Sequence, residues 1–232
     1  GALGFSTSRT LIHKGADGEY VPGTFAGEDE LFGIGRAMAA AGPSVFQMTS
    51  NHVDMPKEYV WMRRLAEETG LTISFNLLQT DAAPDLWKTM SQHLDEASAS
   101  GLDIYGQVAA RPQGVLMSWA GTAHPFLFVP AYMGLHHLPV QERLQELRKP
   151  EVRAKIIADK PLQIGEFENF IVESFHKMYQ LGAEPNYEPL PSESASAIAQ
   201  ARGVTPQEVA YDWLMEDDGK GFIYFPIFNY SN

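Results

Sequence analysis

Polar side chains follow four apolar segments of the chain, at the points where those segments end. In parallel α/β folds, functional sites are built from the carboxyl ends of the strands and the loops that follow them. The collected side chains are neutral or cationic and include few carboxylates. In chain order they are Ser6, Ser8, Arg9, His13, Gln47, Asn51, His52, Asn76, Gln79, Asp81, Gln107 and Arg111.

Arg9 and Arg111 are the first candidates for substrate binding. An arginine at the end of a buried strand is costly unless its guanidinium pairs with a carboxylate or a ligand. It can hold a substrate carboxylate, or it can form an internal salt bridge; Asp81, Asp103 and Glu30 are the carboxylates considered for that bridge. Both alternatives stay open.

Three polar residues complete the candidate substrate site, and one imidazole is a candidate for catalysis. Ser8, Asn76 and Gln107 end the first, third and fourth apolar segments. His13 follows the first segment and could orient or protonate a substrate. A serine nucleophile on a Gly-x-Ser-x-Gly elbow is not indicated, because Gly4-Phe5-Ser6 lacks the second glycine of that motif.

The chain offers little for a metal ion. It contains neither His-x-His nor His-Glu-x-x-His, which are spacings that bring ligands together. His52 and Asp81 are candidate ligands, and His13 could converge with them, but nothing in their spacing specifies it. We therefore expect no tightly bound zinc on this chain alone.

Four strand–helix units position these residues. Strands are predicted to begin near residues 1, 44, 71 and 102, at intervals of 43, 27 and 31 residues, which is the size of a βα unit. Helices are predicted over 28–41, from Pro56 to Gly70, and over 85–100, with Val60, Trp61 and Leu65 facing inward in the second. The strands should be adjacent, parallel and in sequence order. A doubly wound sheet and part of a (β/α)8 barrel both fit this pattern.

Regular alternation stops at Arg111. The segment 111–190 is predicted to be an irregular aromatic and helical insertion with two short helices, VQERLQELRK and PEVRAKIIADK. Its loop 115–132 carries Trp119, Phe126, Phe128 and Tyr132, which could cover an apolar substrate group or form a packing flap. A capping box at Thr205 predicts a helix over TPQEVAYDWLMED, and FIYFPIFNY is predicted to be the last strand.

Composition excludes several function classes. The 232 residues include 17 basic and 29 acidic side chains, for a formal net charge of −12, which argues against nucleic acid or an anionic membrane as partner. No apolar stretch approaches the roughly 20 residues that span a bilayer, and no secretory leader is recognisable. The chain has no cysteine, which fits a reducing compartment. We expect a soluble cytoplasmic protein.

Several segments resemble the amidohydrolase superfamily, in the branch that contains N-acyl-D-amino-acid deacylases. They are GALGFSTSRT, VPGTFAGEDEL, RPQGVLMSWAGTAHPFL, LRKPEVRAKI and VTPQEVAYDWLMEDDGKGFIYFPIFNY. The resemblance implies a TIM-type barrel beside a small β-sandwich and a metal-dependent hydrolase, with zinc or another divalent metal. The implied substrate is a small-molecule amide, an N-acyl amino acid or a related compound, cleaved at its C–N bond.

The same resemblance implies that the chain is an internal fragment, incomplete at both ends. In the family, a β-sandwich and a His-x-His strand precede the first segment, and a Ser-Asp-Gly-like strand end follows the last. The expected partners are then the remainder of its own chain or a second copy, as in a homo-oligomer.

The family usually places a metal-binding histidine at the ends of the second and third strands of this chain. The nearest residues here are Gln47 or Met48, and Phe75 or Asn76. Two hypotheses follow: a hydrolase whose metal is held largely by other parts of the protein, and a barrel that has lost catalysis and serves as a binding or interaction protein.

Overall fold

The computed structural model describes residues 2–230, which divide into two compact units, one running to Ala110 and the other from Arg111 to Tyr230. Within these residues, no helix is both long enough and apolar enough to cross a membrane. The boundary falls where the strand–helix alternation of the sequence stops.

The first unit alternates strands and helices. Its elements are β1 (Gly4–Ser8), α1 (Glu28–Ala41), β2 (Val45–Thr49), α2 (Met55–Thr69), β3 (Thr72–Asn76), α3 (Leu86–Ala99) and β4 (Ile104–Gln107). The four strands form one parallel sheet in the order β1-β2-β3-β4. The predicted adjacency, direction and order of the strands are therefore confirmed, and so are the three predicted helices.

One face of this sheet forms the core of the first unit. Phe46, Met48, Ile73 and Phe75 alternate along β2 and β3 and have no solvent exposure, because successive residues of a strand point to opposite faces. They cluster with buried side chains of the helices, Leu31, Phe32, Trp61, Met62, Leu65, Met90 and Ala97. Burial of an aliphatic or aromatic side chain of this size contributes about 1.5–3 kcal/mol.

One predicted core position is wrong. Trp61 and Leu65 of α2 are buried, but Val60 is 58% exposed. Val60 lies next to Trp61 in the chain, and adjacent helix positions are rotated by about 100°. Because Trp61 occupies the inner face, Val60 is directed to solvent.

The second unit combines a small sheet with helices. Its elements are β5 (Gln113–Met117), α4 (Pro130–Met133), α5 (Val140–Leu147), α6 (Pro150–Ala158), α7 (Glu166–Glu173), β6 (Tyr179–Leu181), α8 (Ala195–Arg202), α9 (Pro206–Gly219) and β7 (Phe222–Phe228). The two predicted short helices, α5 and α6, are confirmed. The Thr205–Glu208 capping box at the start of α9 is confirmed as well.

The last predicted strand, β7, is central in its sheet. It pairs antiparallel with β5 on one side and β6 on the other. Pro226 lacks an N–H group, and it is accommodated where the register shifts between Gln113 and Gly114. The segment 111–190 thus shares a sheet with the end of the chain, and part of the predicted loop 115–132 is strand β5.

Gly221 allows β7 to follow α9 closely. A side-chain carbon at this position would overlap the main-chain carbonyl of Trp213, which cannot move without moving the helix. Gly182, which follows β6, has open space around it.

We therefore predict that Gly221→Ala lowers the free energy of unfolding by about 1–3 kcal/mol, as overpacking typically does. The matched Gly182→Ala should change it by less than about 0.5 kcal/mol. Urea unfolding followed by circular dichroism measures both, and equal effects at the two positions would contradict this account of the α9–β7 connection.

Candidate functional site

The second face of the parallel sheet is polar. The strand register places side chains on this face in rows that run across the sheet. One row contains Ser6, Gln47, Ser74 and Tyr105. The next row, at the carboxyl ends of the strands, contains Ser8, Thr49, Asn76 and Gln107. Ser8, Asn76 and Gln107 are predicted site residues, and the structure places all three at one edge of the sheet.

Hydrogen bonds connect the two rows. The Gln47 amide nitrogen donates to Asn76 Oδ1 at 3.1 Å, and Thr49 Oγ1 donates to the same oxygen at 3.1 Å. Ser6 donates to Gln47 Oε1. These bonds use the side-chain oxygens of both amides and hold Gln47, Thr49 and Asn76 in fixed orientations.

His13 lies beside the end row. Its Nδ1 is hydrogen-bonded to Ser8 Oγ at 2.7 Å, and its side chain belongs to the exposed loop that leaves β1. The adjoining loop is fastened by Asn51, whose Oδ1 accepts hydrogen bonds from Thr10 Oγ1 at 3.1 Å and from the Leu11 N–H at 2.8 Å. The predicted catalytic candidate is therefore next to a predicted substrate-binding hydroxyl.

His52 occupies the loop that leaves β2. Its backbone has φ of 60°, a left-handed conformation that is uncommon outside glycine, asparagine and aspartate. Its N–H donates to Ser50 Oγ at 2.9 Å. Burial, with a smaller effect from the neighbouring His13, lowers the pKa of His52 to about 4. His52 is therefore neutral at pH 7.

Arg9 is paired within the protein. Its Nε donates to both carboxylate oxygens of Glu58, at 3.0 and 3.1 Å, and Nη1 donates to the Ala26 carbonyl. Both side chains are mostly buried, with 19% and 12% exposed. The internal salt bridge therefore forms, but its partner is Glu58 rather than Asp81, Asp103 or Glu30. Glu58 lies in α2 and was not among the carboxylates considered.

Arg111 belongs to the second unit. Its guanidinium lies over the Tyr187 ring, 4.2 Å from the ring centroid, a distance typical of a cation–π contact. The aromatic residues of 115–132 belong to the same unit, and Trp119, Phe126 and Tyr132 are buried in its core. For these three residues the structure shows packing rather than a substrate cover.

The described residues do not fit a zinc site. Gln47 of β2 and Asn76 of β3 are neutral amides bonded to each other, and amides are not usual zinc ligands. Asp81 lies in an exposed turn after β3. Among residues 2–230, no three His, Asp or Glu side chains are grouped closely enough to hold an ion.

Two members of this site were not selected from the sequence as site residues. Thr49 lies between Ser8 and Asn76 in the end row, and Glu58 neutralises Arg9. The alternation of β2 places Thr49 on the same face as Gln47, so the strand pattern carried a signal for Thr49. Glu58 had no comparable signal, because its contact with Arg9 depends on how α2 packs.

Compared with models of protein families, with curated proteins and with solved structures, this chain matches none. The resemblance to amidohydrolases therefore stays a prediction.

The buried neutral state of His52 predicts a pH dependence of stability. An unfolded chain protonates His52 near pH 6.5, whereas the folded chain resists protonation until about pH 4. Acidification through this interval therefore favours unfolding, by at most about 3 kcal/mol.

His52→Asn should make this loss of stability smaller between pH 6.5 and 4, because asparagine does not titrate there and tolerates positive φ. Urea unfolding at several pH values measures the slope. The exposed His137→Asn serves as control and should retain the wild-type slope. An unchanged slope in His52→Asn would contradict the assignment.

Proposed function

We propose that this chain is part of an amidohydrolase-like hydrolase that acts on C–N bonds of N-acyl amino acids or related amides. We also propose that its parallel sheet belongs to a (β/α)8 barrel. The order and direction of the strands support the barrel, as do helices packed on one face of the sheet. In such barrels the active site lies at the carboxyl ends of the strands.

The observation that carries the proposal is the end row Ser8, Thr49, Asn76 and Gln107. Its carboxamides and hydroxyls present both donors and acceptors, which is what the N–H and carbonyl groups of an amide substrate need. The bonds that fix Asn76 use its oxygen and not its amide nitrogen. In the proposal, Asn76 and Gln107 bind the substrate amide.

Ser8 and His13 have a separate role. The 2.7 Å hydrogen bond between Ser8 Oγ and His13 Nδ1 places an imidazole beside the end row. There it can orient the substrate or move a proton. Arg9 as a carboxylate-binding residue would require Glu58 to give up its ion pair, so the proposal assigns Arg9 to holding α2 against β1.

A divalent metal is part of the family resemblance and would supply water activation. Because the described residues do not fit zinc, we assign them to recognition of the substrate. No metal-dependent step is assigned to them.

The second hypothesis, a binding protein without catalysis, is favoured by one observation. Gln47 and Asn76, which lie near the positions where the resemblance implies metal ligands, bond to each other. Such an arrangement holds an amide ligand without activating water. In both hypotheses the end row binds the ligand. The hypotheses differ in whether the ligand is then hydrolysed.

The side chains of the end row predict that this chain binds N-acyl amino acids. Titration calorimetry with a panel of N-acetyl and N-formyl amino acids of both configurations measures the affinity. Asn76→Leu should weaken binding at least tenfold, since an amide donor is replaced by an apolar group. Gln92→Leu removes an exposed amide on α3 and should leave affinity unchanged.

Turnover separates the two hypotheses. With zinc present, this chain alone is expected to bind without hydrolysing, and a longer form of the protein that includes the remaining barrel strands should release the free amino acid. Binding by that longer form without release would favour the binding protein. No binding of any panel member by the wild type would overturn the proposed site.

A further inference from the structure

The second unit contains a buried polar cluster that the proposed function does not use. We call Trp119, His124, Tyr132 and Arg143 the arginine–aromatic cluster. Trp119 and His124 have no solvent exposure, and Tyr132 and Arg143 are 1% and 7% exposed. The ring centroids of Trp119 and His124 are 4.9 Å apart, those of His124 and Tyr132 are 4.4 Å apart, and Arg143 Cζ is 5.8 Å from the Tyr132 centroid.

Three nitrogen atoms of this cluster are buried without a hydrogen-bond partner among the described residues: Trp119 Nε1, His124 Nε2 and Arg143 Nε. Most buried polar side-chain atoms in native proteins have a partner, and leaving one unpaired destabilises the fold. The three atoms belong to side chains that contact one another through their rings and the guanidinium group.

All three atoms are donors. Indole and guanidinium nitrogens of this kind donate only. In His124, the Phe126 N–H donates to Nδ1 at 3.2 Å, so Nδ1 carries a lone pair. Burial, together with the neighbouring Arg143 and His136, lowers the pKa of His124 to about 3, so the ring is neutral and its proton is on Nε2. A partner must therefore be an acceptor.

The cluster also carries an uncompensated positive charge. Arg143 donates from Nη2 to the Trp119 carbonyl at 2.8 Å and from Nη1 to the His136 carbonyl at 3.2 Å. These partners and the Tyr132 ring are neutral. No ion pair within residues 2–230 includes Arg143, and burying a charge without a counter-charge is strongly unfavourable.

We propose that the arginine–aromatic cluster binds one small monovalent anion of the chloride class. A monovalent anion offers only acceptor capacity and neutralises the single charge of Arg143. A water molecule would accept hydrogen bonds but leave that charge uncompensated. The site lies in residues 111–230 and does not include any residue of the end row.

Equilibrium unfolding in urea tests the site. Because the chain unfolds and refolds during the measurement, the anion can reach the site even though the folded core is closed. Chloride is varied at constant ionic strength against gluconate, an anion much larger than chloride. Above its dissociation constant, each tenfold increase in chloride should raise the free energy of unfolding by about 1.4 kcal/mol. Guanidinium chloride is avoided because it supplies the ion.

Trp119→Phe removes one donor and keeps an aromatic ring, so it should shift half-saturation to at least tenfold higher chloride. Trp213→Phe is the matched control: Trp213 is 4% exposed in the same core, and its replacement should lower stability without changing the chloride response. If Trp119→Phe does not fold, the indole N–H resonance of Trp119 in the wild type provides the second readout and should move on chloride addition.

A stability that does not depend on chloride at constant ionic strength would overturn the proposal and indicate a buried water. An equal chloride response in wild type and Trp119→Phe would overturn it as well, since it would locate the effect outside the cluster. An unmoved Trp119 resonance has the same consequence.

Discussion

One-sided burial of the parallel sheet is the constraint on which the first unit depends. Helices α1, α2 and α3 cover one face, and the buried apolar residues Phe46, Met48, Ile73 and Phe75 of β2 and β3 point there. Because strand side chains alternate with a period of two, the intervening residues are forced onto the opposite face. The polar rows are thus a geometric consequence of how the core is buried, and shifting one strand by one residue would destroy both core and rows.

The same constraint explains why the site is held by neutral groups. Gln47, Thr49 and Asn76 can bond to one another across neighbouring strands without a charge, so their burial needs no counter-ion. Arg9, which follows β1, meets its carboxylate in Glu58. An amide-rich row of this kind suits the amide group of a ligand better than a metal ion.

The parts predictable from sequence are those set by local periodicity and capping. The βα units, the strand order and the α9 capping box follow from residue spacing, and so does the end-row placement of Ser8, Asn76 and Gln107. The parts that were missed depend on distant contacts. Glu58 reaches Arg9 through helix packing, and β5 becomes a strand by pairing with β7 about a hundred residues later. The burial of the Trp119 and His124 N–H groups depends on how the core of the second unit packs, which no local sequence pattern specifies.

The central claim is that the end row recognises an amide, and side-chain amide NMR tests it most directly. On addition of an N-acetyl amino acid that binds, the account predicts that the side-chain NH₂ resonances of Asn76 and Gln107 shift together with ligand occupancy. The resonance of Gln92, exposed on α3, should stay in place. Shifts confined to residues of the second unit, with Asn76 and Gln107 unmoved, would contradict the account.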